Sequence, residues 1–446
     1  VGYWLNLTLF KMGFWITWAL IPIVVEIIPA FVSGIRLLIK TFHRKRPTMP
    51  AKMPFISLMV PVYNSEETLF NCIQSIHDST YPTELVQVIL ADNQSTDDSF
   101  GAFVKAQNKF ADMNMQLIHT QRGKASALNT AIYESIGTYI INIDSDGVLE
   151  KNALMNMVLQ FENDYKVAAL TGTILPAKKM IRQKKPWHLK ILQYNEYFEY
   201  AQAFLSGRTI EARNNQLFTM SGAFSAFRKE ALLNTFMYNV DTLGEDTDMT
   251  FQIRDKLKRK VAICTSAIFY IEPIPSLDNL YTQRQRWQRG EIEVMHQHTK
   301  NISVRNFFND FLIRRMMIDH TFLFPKMIWL FASIALLFFR YSALMMGMSY
   351  VAIYLLYILV SLLNYICVRL LLRDFPDENK FYAHQWWVAF SQPIYNFICS
   401  CIRLVGTING MTEIAAWNSE KFDQEAKGVG SIIRSDFKNL KKRKKE

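Results

Sequence analysis

The sequence predicts an α/β protein built on a parallel sheet and joined to membrane-spanning helices, and three observations carry that prediction. Strand-like apolar runs alternate with helical patterns from Phe55 onward. One run, YIINIDSDGVL at Tyr139 to Leu149, stops at two aspartates one residue apart. Beyond His320 the composition turns almost wholly apolar, over lengths that suit a bilayer core, which takes roughly 20 residues per helix.

The 446 residues are 50% hydrophobic with a formal charge of +11, too apolar for disorder and too long for one ordinary domain. The positive charge concentrates in KTFHRKR, Lys40 to Arg46, and in KKRKK, Lys441 to Lys445. Clusters at membrane flanks and a tail suit lipid headgroups and a cytoplasmic placement, and argue against nucleic acid. The five cysteines show no metal-ligand spacing and read as free thiols in a reducing compartment. Phe14 to Ile39 is long enough to span and lacks a cleavage pattern, so it reads as a retained anchor, with Glu26 facing protein or a wet path. The expected organisation is an anchor and basic linker (1–50), a cytoplasmic domain with interfacial helices (51–300), a C-terminal membrane region (301–410) and a basic tail (411–446).

Phe55 to Val60 reads as a buried strand ending at Pro61-Val62-Tyr63-Asn64. Asn64 or Ser65 would cap the helix carrying Leu69, Cys72, Ile73 and Ile76. Leu85 to Leu90 is a second strand, and the polar loop Ala91 to Asp97 follows it. Arg122-Gly123-Lys124 stands before the helical run Ala125, Ala127, Leu128 and Ala131, where an anion would be welcome; a solvated basic turn is the other reading. No glycine-rich phosphate fingerprint is present, which argues against a dinucleotide fold or a P-loop and leaves room for a metal to hold the phosphates.

Asp144 and Asp146 fall where the ligand crevice of an open α/β sheet lies, outside the carboxyl ends of the strands. Two hard oxygen donors there suit Mg²⁺ or Mn²⁺ shared with nucleotide phosphates, while a plain Asp-Gly turn accounts for the same letters. Ile191, Tyr194, Phe198, Ala201 and Leu205 recur at helical spacing, on the membrane surface or in a core. Gly244 to Asp248 is a second acidic cluster, read as a general base or as charge favoured at a helix start. YTQRQRWQRG, Tyr281 to Gly290, mixes phosphate-binding cations with a stacking tryptophan, a mixture an interfacial helix would also use. Spans are expected at Thr321 to Phe339, Leu344 to Leu372 and Trp386 to Ile408. If the catalytic region and the tail are both cytoplasmic, an even number of crossings separates them, so one of the three is re-entrant, interfacial or no span.

Together, Val60-Pro61-Val62-Tyr63-Asn64, Asp92, Lys124, Asp144-Ser145-Asp146, Ser221-Gly222, Glu245-Asp246 and Gln283 to Trp287 resemble the processive membrane glycosyltransferases of family 2. The pattern covers roughly residues 54 to 295 and is shared by synthases of poly-N-acetylglucosamine, hyaluronan and cellulose; longer stretches are similar to a Gram-positive, exosortase-associated subgroup. The resemblance implies a GT-A type nucleotide-sugar domain with flanking transmembrane helices. In it, Tyr63 and Asp92 would hold the uracil of a UDP-sugar, Lys124 the diphosphate, and Asp144 and Asp146 the ribose and the metal-bound diphosphate. Glu245 and Asp246 would be the catalytic pair, with Asp246 the base. Gln283 and Arg286 would approach the pyrophosphate and Trp287 the growing glycan acceptor. Gly244 departs from the Thr often found there, and Asn93-Gln94 from Asp-Gly. One base and no second nucleophile imply a single displacement with inversion. The resemblance also implies a lipid bilayer and an accessory membrane subunit as partners. Two other functions are compatible with these letters: transfer of one sugar to a lipid, and a non-catalytic nucleotide-sugar-binding subunit, which would be expected to have lost an acid.

Overall fold

The structure, a computed structural model, describes residues 27–41, 47–213, 215–297 and 343–412 and a few positions besides. Helix α1 (Ile28–Thr41) precedes the sheet. Strand β1 (Ile56–Val62) is buried at every position, since alternation sends Leu58, Val60 and Val62 into one core and Met59 into the other. Both faces are covered, which is why the strand reads as an unbroken apolar run. Helix α2 (Leu69–His77), β2 (Val86–Asp92), α3 (Ser99–Lys109), β3 (Asn114–His119), α4 (Lys124–Glu134) and β4 (Tyr139–Ile143) follow. β1 pairs in parallel with β2 and β4, and β2 with β3. Helix α2 starts later than its expected cap: its N-cap is Thr68. The expected cap residues are engaged elsewhere, Asn64 Oδ1 accepting from Thr96 N at 2.8 Å and Ser65 Oγ bonding Ser145 Oγ at 2.7 Å.

The remaining elements of this region are β5 (Val148–Leu149), α5 (Ala153–Asn163), β6 (Val167–Pro176), α6 (Lys178–Ile181), α7 (Trp187–Tyr200, prolonged by a π-helical stretch and Arg208–Arg213), β7 (Phe224–Arg228), α8 (Lys229–Leu233), α9 (Glu245–Phe251), β8 (Lys260–Ile271) and α10 (Leu277–Gln297). The sheet order is β3-β2-β1-β4-β7-β6-β8-β5. The expected parallel sheet is present in β3-β2-β1-β4, and beyond it the sheet is mixed: β7 runs antiparallel to both β4 and β6, and β5 to β8. The reason is local. The chain reaches β7 from the ligand edge, so its first residue, Phe224, pairs with the last of β4, Ile143, and no crossover helix carries it back to run alongside.

Two apolar helices follow, α11 (Ala343–Leu371) and α13 (Val388–Thr412), joined through the short α12 (Pro376–His384). Among the described residues, Met346–Asp374 and Val388–Asn409 are long and apolar enough to cross a membrane, and they coincide with two of the three expected C-terminal spans. Leu344, Met348, Val351, Leu355, Leu359 and Ile366 are exposed along α11, an apolar stripe at helical spacing of the kind lipid covers. Of the expected Phe14 to Ile39 span only the part from residue 27 is described, and Thr321 to Phe339, Glu26 and the basic runs at 42–46 and 441–445 lie outside the described residues or almost so. Tyr197, Phe198, Ala201 and Leu205 of the α7 segment pack against Leu37, Val368, Leu371, Phe381 and Tyr382. That helix therefore fills a core between the sheet domain and the apolar helices.

Candidate functional site

The carboxyl ends of four adjacent parallel strands form one edge, and the chemistry-bearing residues stand along it in strand order. His119 ends β3, Asp92 ends β2, Tyr63 follows β1, and Asp144 follows β4. Asp92 and His119 are register partners, and Asp92 Oδ2 lies 3.1 Å from His119 Nδ1 while Oδ1 accepts from Ser95 N at 3.1 Å. Tyr63 is 48% exposed beside them. Asn93 Oδ1 accepts from Gly123 N, tying the β2 loop to the start of α4. His119 went unnoticed in the sequence, because a lone strand-end histidine carries no pattern until its neighbour in the sheet is known.

The D-S-D turn is fixed by its middle residue: Ser145 bonds Ser65 at 2.7 Å, which pins it to the end of β1. Gly147 is demanded by packing, since a Cβ there would stand 2.3 Å from the Phe269 ring and 2.8 Å from Tyr270 O. Gly147→Ala is therefore expected to lower stability by about 1–3 kcal/mol through overpacking, read as a lower thermal-unfolding midpoint in detergent; an unchanged midpoint refutes this account of the turn.

Lys124, the first residue of α4, donates to Asp144 Oδ1 at 2.5 Å and to Gly222 O at 3.2 Å. Gly222 is the junction of the site. Its N–H donates to Asp246 Oδ2 at 3.0 Å, and its carbonyl also accepts from Asn142 Nδ2 at 2.7 Å. Asp246 Oδ1 accepts from Thr247 N at 2.7 Å. The structure thus brings Lys124, Asp144 and the Glu245-Asp246 helix start together around one loop, from three separate stretches of sequence.

Burial opposes the charge on Lys124, but Asp144 and Glu245 outweigh it and hold the ammonium firmly protonated. Desolvation and the charge of Asp246 push Glu245 up to about 7, and burial raises Asp246 above the usual carboxylate range despite Lys124. Asp146 is exposed, yet partial desolvation by the surrounding protein, then the charge of Asp144, push it up to about 6, with Glu272 adding to the repulsion. Glu272, just past β8, is a second residue the sequence reading missed; its only signal is a carboxylate at a strand end.

Helix α10 splits the QRQRW motif between two faces. Gln283 and Arg286 line a groove of about 470 Å³ together with Gln193, Glu272 and Thr282. Trp287 packs near Tyr200 and Phe204, with the Arg284 guanidinium 4.1 Å from its ring centre. Arg284 itself is buried and pairs with Glu199 at 2.5 Å, and Glu199 also accepts from Tyr395 OH at 2.7 Å. The motif helix is coupled to the acidic pair by two glycines, because a Cβ on Gly244 would meet Gly290 O at 2.7 Å. Glu293 Oε2 adds bonds to Leu243 N and Thr242 Oγ1 at 2.8 and 3.0 Å. That contact explains Gly244 where a threonine was expected from the resemblance: no larger residue fits against this α10.

Residues 57–236 match the family model described as Glycosyl transferase family 2. The chain carries a family 2 glycosyltransferase domain. Its matched stretch holds the strand-edge residues Tyr63, Asp92, Lys124, Asp144 and Asp146. The glycosyltransferase region is 25% identical over 259 residues to a poly-beta-1,6-N-acetyl-D-glucosamine synthase of Staphylococcus epidermidis, covering 58% of each chain. It is likewise 25% identical over 292 residues to the synthase of Staphylococcus aureus (strain COL), covering 65% of this chain and 63% of that one. The alignments thus span about three fifths of these relatives' length. Among solved structures, the fold resembles a mannosyltransferase from Pyrobaculum calidifontis in complex with GDP-Man and Mn²⁺, with a TM-score of 0.58, 15% identity, and coverage of 88% of this chain and 99% of that one.

Proposed function

We propose that this protein is an inverting membrane glycosyltransferase that transfers sugar from a UDP-sugar to a growing β-linked glycan and passes the product across the membrane. The observation that carries it is the convergence of Lys124, Asp144 and the Glu245-Asp246 pair on the Gly222 loop, at the strand edge where Asp92 and Tyr63 also stand. Nucleotide-sugar transfer needs the leaving diphosphate neutralised and an acceptor hydroxyl relieved of its proton, and this arrangement offers both within one site.

Asp92 would receive the imide N–H of uracil and Tyr63 would lie along the ring. Lys124 is the cation for the diphosphate. Asp144 and Asp146 suit a divalent cation: they are two neighbouring carboxylates at a strand end, Asp146 is exposed, one oxygen of Asp144 is already held by Lys124, and no group of three or more potential ligands forms among the described residues. Such a cation would take at most part of its shell from the protein and the remainder from diphosphate and water, as Mg²⁺ and Mn²⁺ do. When bound it would supply neutralisation of the diphosphate charge. Asp246 would take the acceptor proton, Glu245 would set the charge under which it does so, and Gln283, Arg286 and Trp287 would position pyrophosphate and acceptor. No predicted acid is missing, which counts against a non-catalytic subunit.

The membrane reading is supported by the two apolar helices and by the contact of α13 with the motif helix, where Arg403 donates to Gln288 Oε1 at 2.7 Å. Gln392, buried and bonded to Asn396 at 3.2 Å, supports the reading that α13 carries polar side chains into the membrane region, as a helix beside a glycan path would. The domain from 51 to 300 is read as cytoplasmic, the segment 301–410 as membrane-embedded, and an accessory subunit as a partner. The test is the full chain in sealed vesicles with its catalytic region outward, offered a panel of UDP-sugars, with product mass and glycosidase accessibility measured. Long products protected from added glycosidase support the proposal. Products only one sugar longer than the acceptor, or long chains that stay wholly accessible outside, overturn processive secretion.

A further inference from the structure

Residues 178–190, KKMIRQKKPWHLK, hold six Lys or Arg and no acid; Lys185 lines the groove of Gln283 and Arg286, and the other five stand outside it. Their place in the fold is set by α12, the short helix between the two membrane-length stretches that end at Asp374 and begin at Val388. A connector of that length between two spans must lie at a bilayer surface. The basic segment grips this connector: Lys178 Nζ lies 2.6 Å from Glu378 Oε1, and the Arg182 guanidinium lies 5.0 Å from the Phe381 ring centre. Glu378 is buried there and also accepts from Tyr197 OH at 2.7 Å and Tyr270 OH at 3.0 Å, so the segment is held at that height by a packed joint.

Lys178 is consumed in the joint, while Lys179, Arg182 and Lys184 remain exposed. Next to them Trp187 is 74% exposed, and Trp386 at the start of the second span is 55% exposed. Indole rings prefer the headgroup level of a bilayer, and exposed cations there meet the negative surface of an anionic leaflet. A solvated basic loop would need no tryptophan, and a nucleic-acid surface would not be clamped to a span connector.

We propose that Lys179, Arg182, Lys184 and Trp187 form a docking surface for the headgroups of anionic phospholipids, seating the α6–α7 segment on the membrane. The proposal rests on the membrane reading above and adds a lipid class to it. Arg182 spreads its planar fork over phosphate oxygens while leaning on Phe381, and the two lysines add point charges.

The experiment uses the full chain in nanodiscs of phosphatidylcholine containing a trace photoreactive probe, either phosphatidylglycerol or phosphatidylcholine, with labelled peptides mapped by mass spectrometry. The expected result is labelling of peptides within 179–191 by the phosphatidylglycerol probe, far above labelling by the phosphatidylcholine probe. K179Q/R182Q/K184Q should lower it by at least about tenfold, and raised salt should weaken it in the wild type. W187A, which keeps every charge, should lower labelling by both probes. Equal labelling of this segment by the two probes, or an undiminished preference in the triple variant, overturns the proposal. Labelling confined to α11 and α13 overturns the patch while leaving the membrane reading intact. Labelling nowhere overturns both. Inorganic phosphate added at millimolar concentration should leave the preference standing, and its abolition would assign the site to free phosphate instead.

Discussion

Asp246→Asn is expected to slow sugar transfer by about 10²- to 10⁴-fold, the usual cost of a lost general base, while UDP-sugar binding stays nearly unchanged. The asparagine oxygen can still accept one of the two backbone N–H groups, from Gly222 or Thr247, that the carboxylate now serves, so the loop should keep its place. Binding measured by calorimetry and turnover measured by UDP release separate the two effects. A variant with near-normal turnover would remove Asp246 from the mechanism. The pH profile gives an independent check. Burial raises both members of the pair, and the charge of Asp246 helps to push Glu245 up to about 7, so at lower pH the pair retains a proton and the base is partly blocked. Turnover should therefore climb as pH rises toward and through neutrality. Glu245→Gln removes the group held near 7 and should shift that climb to lower pH.

The second large effect is expected at the D-S-D turn. Asp146→Asn should reduce transfer by on the order of 10²-fold or more, because one of two carboxylates available to a divalent cation is gone. Metal-stripped wild type should fall similarly and recover with added Mn²⁺ or Mg²⁺. The binding readout is sharper: UDP affinity of the wild type should rise when metal is added, and in Asp146→Asn that rise should vanish. Full turnover by demetallated protein in excess EDTA would defeat the assignment. Unfolding midpoints should hardly differ, since the turn is held by Ser145 and Gly147 and not by Asp146.

Much of the sheet and its strand-end edge is legible in the amino-acid sequence, for a simple reason. Strands buried on both faces must be apolar throughout, so β1, β2 and β4 stand out, and their polar ends advertise Tyr63, Asp92 and Asp144 directly. β6 and β8 are equally apolar, yet no strand-end motif marks them, and a buried run without such a mark reads as strand or helix alike. The reversed strand β7 was invisible because strand direction follows from where the chain arrives, which five residues of FSAFR do not encode. At the site, Lys124 and the D-x-D element could be recognised, but their bond to each other and the Gly222 junction depend on contacts across 20 to 98 residues of sequence. The motif helix was legible as a pattern of letters only. That Arg284 would be buried against Glu199 while Arg286 faces a groove depends on which side α13 approaches.

The glycine pair at Gly244 and Gly290 has a consequence for how such a machine can be taken apart. With backbone touching backbone, α9 and α10 share one chassis, and Arg284, Gln288 and Arg403 bolt that chassis to α7 and α13. Glu245 and Asp246 therefore have no independent bearing; they are indexed to a helix suited to lipid. A fragment ending before residue 388 would keep Asp144, Asp146, Glu245 and Asp246 and the whole strand edge, yet it would leave α10 without its outer support. Detergent that loosens α13 would act in the same way, as a slackened mount beneath an intact engine.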